Sequence, residues 1–158
     1  MKTLDIGCGA AKRTDAIGMD KRKLDGVDVV HDIEVLPWPF DNEQFDHLVA
    51  WHVFEHLKPW LMIEIMDECW RVLLVGGTLR IGMPSPESYG FYQDPGHVRV
   101  WCEATPRYFD PDYPQYQHYT PKPWKIELNT WYPKGLPKDI QRPMFNGGSL
   151  FILRKRAT

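Results

Sequence analysis

Short apolar runs, each ended by glycine, proline or a carboxylate, divide the first half of the chain. Thr3–Ile6 runs into the turn Gly7-Cys8-Gly9, residues 16–19 stop at Asp20, and residues 27–30 stop at His31-Asp32. Phe45–Trp51 is apolar almost throughout, as a strand buried on both faces should be. Residues 78–83 form a further run, stopped by Pro84. Five strands are predicted. Between the last two, Leu61, Ile65, Cys69 and Val72 recur at helical spacing, and Met62, Met66 and Leu73 widen the stripe. That spacing predicts a helix over 60–73, closed by Gly76-Gly77 as a left-handed cap. After Pro86 the periodicity fades into a predicted loop over 89–118, with one short helix near 105–109. Residues 125–131 and 149–153 read as two last strands. The turn Asn146-Gly147-Gly148 before the final one suggests an antiparallel edge.

Strands alternating with connections predict an α/β fold with a doubly wound, mostly parallel sheet and ligands at the carboxyl ends of its strands. The spacing departs from that template at the start. Only residues 10–15 separate the glycine turn from the second strand, too few for an ordinary crossover helix. The sheet is therefore expected to be abbreviated on its N-terminal side. One face would be left uncovered or used for association, with a homodimer as one way to cover it.

Composition sharpens this picture. The chain has 158 residues and a net charge of −2, which suits one domain with a full core. A pI near 6.3 disfavours a DNA-coating role or a polybasic membrane role, though a local basic patch stays possible. No apolar run approaches the roughly 20 residues of a membrane span, and the N-terminus is too short and acidic for a signal peptide. Cys8, Cys69 and Cys102 are odd in number and scattered, which fits reduced thiols in a cytoplasm. Eleven of the 14 prolines, and more than half the aromatic residues, fall between Pro84 and Pro143. Disordered segments are poor in aromatics, so this stretch is expected to be ordered but irregular.

The candidate chemistry gathers at one predicted sheet edge. Glycines after a first strand let the backbone approach a ligand, and amides exposed there can hold an anionic group. The dinucleotide fingerprint and the phosphate-binding P-loop are both absent. Asp20, ending the second strand, is placed to accept from a ribose diol. Asp32 is placed to accept from an adenine amino group while Ile33 packs on the ring. His52 follows the fourth strand.

The series Leu4-Asp5-Ile6-Gly7-Cys8-Gly9, Ile17-Gly18-Met19-Asp20, His31-Asp32-Ile33, Phe45 through Leu57, Arg71-Val72-Leu73 and Gly76-Gly77-Thr78-Leu79 resembles class I S-adenosylmethionine-dependent methyltransferases. It looks closest to small members in which the glycine turn runs almost directly into the second strand. The resemblance covers about residues 3–110. It implies a Rossmann-like sheet, S-adenosylmethionine as cofactor and S-adenosylhomocysteine as product. By motif, Gly7, Cys8 and Gly9 would flank the methionine part, with Asp5 supporting the turn. Asp20 would take the ribose, Asp32 and Ile33 the adenine, and His52 would line the methyl-donor pocket. Lys12 or Arg13 would meet the methionine carboxylate, or remain solvated cations.

The division expected within the single domain is a cofactor-binding half over 1–86, a substrate lid over 87–143 and a final strand over 144–158. In Gln93-Asp94-Pro95-Gly96-His97, His97 could take a proton from a hydroxyl or amine, oriented by Asp94. A loop-stabilising pair is the alternative reading. His52 and His56 share the i, i+4 spacing of metal ligands, but no third ligand is evident and no metal is expected. Glu55 suits the first turn of a helix. Asp110-Pro111-Asp112-Tyr113 reads as a turn. Trp101, Tyr108, Tyr113, Tyr116 and Tyr119 read mainly as filling for a small accessory core. The expected function is methyl transfer to an O or N nucleophile of a small-molecule or sugar-like acceptor. Two alternatives are a non-catalytic cofactor-binding module with a protein partner, and a nucleic-acid methyltransferase.

Overall fold

The computed structural model describes residues 1–131 and 148–157. Seven strands form one sheet: β1 (Thr3–Ile6), β2 (Ala16–Asp20), β3 (Val29–Val30), β4 (Phe45–Trp51), β5 (Leu73–Pro84), β6 (Trp124–Trp131) and β7 (Gly148–Lys155). Their order is β3-β2-β1-β4-β5-β7-β6. The first five strands run parallel, and β7 pairs antiparallel with both β5 and β6. The order reverses at β1, so the crevice between the carboxyl ends of β1 and β4 is the topological switch point. The expected fold class is present, including the missing first crossover helix: residues 7–15 contain no helix.

Alternation decides which face is buried. Leu4, Ile6, Leu48, Ala50, Leu79, Ile81, Phe151 and Leu153 lie on one face and in one core. Helix α1 (Met62–Val72) joins them through Ile65, Met66, Cys69 and Val72. The other face carries Asp5, Gly18 and Val49 in one row of the ladder and Trp51 beside Gly82 in the next. Long side chains cover its glycines. A Cβ on Gly18 would meet Lys12 Cδ at 2.5 Å, and one on Gly82 would meet the Trp51 ring at 2.5 Å. Flat or extended side chains on glycine thus take up room that a crossover helix would otherwise fill.

Three element boundaries differ from expectation, each for a local reason. The helix begins two residues late, after a 3-10 turn over Pro59–Leu61. It also ends at Val72, because Leu73 turns extended and pairs with Phe45 in full burial. Gly76, at φ 80°, therefore serves an irregularity within β5, where pairing jumps from Leu73 to Thr78, and no helix cap. β3 is shorter than expected because the Asp28 carboxylate itself takes the Gly18 amide (2.7 Å) and the Lys12 ammonium (2.8 Å). An additional four-residue helix, α2 (Tyr89–Tyr92), is capped by Ser88 Oγ, which accepts from Phe91 N. The Asn146-Gly147 part of the predicted hairpin turn, and residues 132–143 of the expected lid, lie outside the described residues.

Buried polar groups tie the irregular segments down. Glu68 on α1 accepts from Trp38 N at 2.6 Å and from Arg71 at 2.7 and 2.8 Å. Arg71 also donates to the Phe40 carbonyl (2.9 Å). Lys155 is 2% exposed, donates to the Leu73 carbonyl at 2.7 Å and lies 3.8 Å from the Trp70 ring centroid. Asp110, expected in a simple turn, is fully buried and accepts from Ile126 N, Asp112 N and Arg156. Trp101 is also fully buried, stacked on Phe109 and in contact with Phe54 and Phe151. Core filling does not extend to Tyr113 and Tyr119, which are exposed. No helix of the described residues is long and apolar enough to cross a membrane.

Candidate active site

Because β1 to β4 are parallel, their carboxyl ends open on one edge and deliver Gly7, Asp20, Asp32 and His52 to it. These residues, with Ile33, His31 and Leu57, line a cleft of about 390 Å³. The volume lies in the range of small-molecule sites. Gly7 has φ 63°, and a Cβ there would meet Val53 Cγ2 at 2.6 Å. The turn after β1 can therefore close against the end of β4 only with glycine at this position.

Asp20 is the most constrained polar group of the cleft. Its Oδ2 accepts from Gly9 N (2.9 Å), and its Oδ1 accepts from the backbone and side chain of Arg22 (2.9 and 3.1 Å). Burial works to raise its carboxyl, but the Arg22 and Gly9 hydrogen bonds outweigh burial and hold it below the usual carboxylate range. The carboxylate is thus ionised and acceptor-ready at neutral pH. Arg22 is largely exposed, so it can swing away from a competing donor. Asp32 Oδ1 caps its own turn by accepting from Glu34 N (3.0 Å). Ile33 is held by its carbonyl, which accepts from Trp38 Nε1 (3.0 Å).

The glycine turn differs from the expected anion cradle. Gly7 N and Cys8 N both donate to the Met19 carbonyl (2.7 and 3.1 Å), and Gly9 N donates to Asp20. All three amides knit β1 to β2. Asp5, Cys8, Gly9 and Lys12 are not among the residues lining the cleft. Asp5 accepts from Arg13 N (2.9 Å) and fixes the connection. Lys12 pairs with Asp28 on the other sheet face. Burial, followed by the nearby Asp5 and Asp20 charges, pushes the Cys8 thiol up and makes it a poor nucleophile.

At the end of β4 the backbone is strained. His52 adopts φ 55°, a region costly for a side chain of this size, while its N–H donates to the Gly82 carbonyl (2.9 Å). The bend aims Nδ1 at Glu55 Oε1, 2.9 Å away. Glu55 does sit in the first turn of a short 3-10 helix, Phe54–His56, but it is fully buried. His97 Nδ1 donates to the Phe91 carbonyl (2.8 Å), leaving Nε2 3.8 Å from Asp94 Oδ2 and 4.0 Å from Glu55 Oε1. The structure therefore does bring Asp94 and His97 together, beside a carboxylate that the sequence pattern assigned to a helix start. A second cleft of about 420 Å³, lined by Trp60, Arg99, Tyr108 and Tyr119 among others, shares no lining residue with the first.

A family described as "Methyltransferase domain" matches residues 13–81. The matched stretch is less than half of the chain, and it marks a likeness of residues 13–81 to methyltransferase domains. An S-adenosylmethionine-dependent methyltransferase from Archaeoglobus fulgidus superposes with a TM-score of 0.65 at 18% identity, covering 98% of this chain and 86% of that one. A chain of the complex between the Haloferax volcanii Trm112 methyltransferase activator and a putative methyltransferase gives 0.65 at 15%, covering 99% and 83%. The Burkholderia thailandensis 1,6-didemethyltoxoflavin-N1-methyltransferase, bound to that substrate and S-adenosylhomocysteine, gives 0.66 at 11%, covering 99% and 71%. At these identities the likeness is one of fold. No curated protein matches the chain. Sequence reasoning missed Arg22 and the buried role of Glu55. Nothing in their local spacing separates either from an ordinary surface charge.

Proposed function

We propose that the chain transfers the methyl group of S-adenosylmethionine to a hydroxyl or amine of a small-molecule or sugar-like acceptor. The observation that carries this reading is the cleft itself. It gathers two carboxylates, Asp20 and Asp32, and an apolar Ile33 beyond the ends of β2 and β3, on the same side of the Gly7 pinch. Such a set suits a nucleoside: acceptors for a ribose diol and an amino group, with an aliphatic wall for a base. S-adenosylmethionine supplies an electrophilic methyl group on a sulfonium; alignment of the acceptor accounts for much of the remaining barrier.

In this reading Asp20 binds the ribose, Asp32 and Ile33 the adenine, and Gly7 and His52 flank the donor. His97, with Asp94, faces the acceptor side, since its Nε2 is the ring nitrogen left open. Residues 87–131 contribute the acceptor wall, and Tyr89 and Tyr92 of α2 are exposed there. A net charge of −2 favours an acceptor that is not a polyanion.

The test is thermal stabilisation by S-adenosylhomocysteine, followed by an acceptor screen. Millimolar ligand should raise the melting temperature of the wild-type chain and leave Asp20→Ala unchanged. Release of S-adenosylhomocysteine should then appear with a small hydroxyl or amine compound. Absence of any wild-type shift sinks the cofactor reading, and turnover on RNA alone sinks the acceptor class.

A further inference from the structure

Three groups from two separate segments converge beside the cleft. Single ligand atoms of Glu55, His56 and His97 all lie within 4.8 Å of one another, and the two imidazole centroids are 4.6 Å apart. The segments are locked by backbone bonds, since the Glu55 carbonyl accepts from Val98 N (2.8 Å) and Arg99 N (3.2 Å). His97 is therefore placed by the same residue whose carboxylate it approaches.

The tautomers are fixed as well. His56 Nδ1 lies 3.2 Å from the Gly96 carbonyl and His97 Nδ1 lies 2.8 Å from the Phe91 carbonyl. A carbonyl only accepts, so each Nδ1 carries the proton and each Nε2 presents a lone pair. The His97 lone pair faces Glu55 Oε1 at 4.0 Å and Asp94 Oδ2 at 3.8 Å. Those distances are too long for a hydrogen bond and suit ligand atoms spread around one ion. Glu55 is fully buried, and its second oxygen, Oε2, has no hydrogen-bond partner. An unpartnered buried carboxylate oxygen costs free energy unless a cation meets it.

We propose that Glu55, His56 and His97 form a binding site for a divalent transition-metal ion. Two imidazoles and a carboxylate are the donor set of zinc, manganese and iron sites with open positions. The carbonyls on both Nδ1 atoms, and His52 on Glu55, are the outer partners that orient such ligands. The site answers the missing third ligand of the His52/His56 spacing. His52 turns out to support Glu55, and His97 supplies the distant donor. His56 lines the cleft, so the ion stands at its wall. If the methyltransferase reading holds, an acceptor oxygen on the ion loses its proton more readily, and His97 ligates instead of acting as a base.

The test uses the full chain, stripped with chelator, and Co2+ or Zn2+ alone. One equivalent of Co2+ should bind, give a visible ligand-field spectrum and be displaced by Zn2+. His56→Ala and His97→Ala should each weaken binding at least about tenfold, while His118→Ala should not. His56 is exposed, so His56→Ala should keep its far-ultraviolet dichroism and metal-free melting temperature. It therefore keeps the test decisive if His97→Ala fails to fold. No stoichiometric binding to the wild type, or binding indifferent to both substitutions, overturns the site. S-adenosylhomocysteine binding measured in chelator reads the cofactor cleft alone, so failure of one reading is distinguishable from failure of the other.

Discussion

In residues 1–86 the cleft side chains hang from strand ends. Asp20, Asp32 and His52 are positioned by a ladder whose register is fixed by Leu4, Ile6, Leu48 and Ala50 in the core. In residues 87–123 the polar side chains hang from turns and short helices. These are held by single anchors: Trp101 among Phe54, Phe109 and Phe151, and Asp110 among Ile126 N, Asp112 N and Arg156. The contrast teaches where precision comes from. A sheet edge positions several groups cooperatively, whereas an irregular segment depends on a few buried contacts whose loss releases everything attached.

The largest test of that contrast removes an anchor. Trp101→Ala should cost about 3–5 kcal/mol, the usual penalty for deleting a buried aromatic, seen as a lower urea midpoint. Next comes the sheet edge. Gly7→Ala forces a Cβ against Val53 at a left-handed φ, and should cost roughly 1–3 kcal/mol while weakening S-adenosylhomocysteine binding. An unaltered cleft in that variant would break the claim that the pinch requires glycine.

Charge tests have smaller effects. Glu68 is held below its ordinary value because, although burial raises it, its bonds to Arg71 and Trp38 N prevail. A depressed folded value contributes stability above the unfolded pKa and loses it as pH falls through the folded one. Glu68→Gln should therefore cost about 1–3 kcal/mol at neutral pH and flatten the stability profile below about pH 4.5. The least effect belongs to Asp112, lowered to about 2 by Arg156 and Lys125. Its contribution should fade only between roughly pH 4 and pH 2. Asp112→Asn should lower the melting temperature only slightly at neutral pH, because the ion pairs are solvent-exposed, and that difference should vanish by about pH 2.

Much of the sheet was legible in sequence because it is written in local alternation: Phe45–Trp51 and Thr3–Ile6 are the strands their apolar runs predict. The end of α1 was not. Leu73 has good helix propensity and the right spacing, and only its pairing with Phe45 makes it a strand residue. For the site, residues at strand ends were readable because parallel topology gathers those ends. The occupied glycine-turn amides were not, since the Met19 carbonyl that takes them belongs to the neighbouring strand. Glu55 was hidden for a similar reason. A carboxylate at a helix start looks solvated until residues 94–99 fold over it, and no spacing rule links those segments.

Cofactor recognition is proposed to reside in residues 1–86 and not in the irregular region beside it. Calorimetric titration with S-adenosylhomocysteine tests this directly on the wild type, Asp20→Ala and Tyr92→Ala. Expected are measurable wild-type binding, at least about a tenfold loss in Asp20→Ala, and an affinity within about twofold of wild type for Tyr92→Ala, a residue 74% exposed. Undetectable wild-type binding, or equal losses in the two variants, would contradict it.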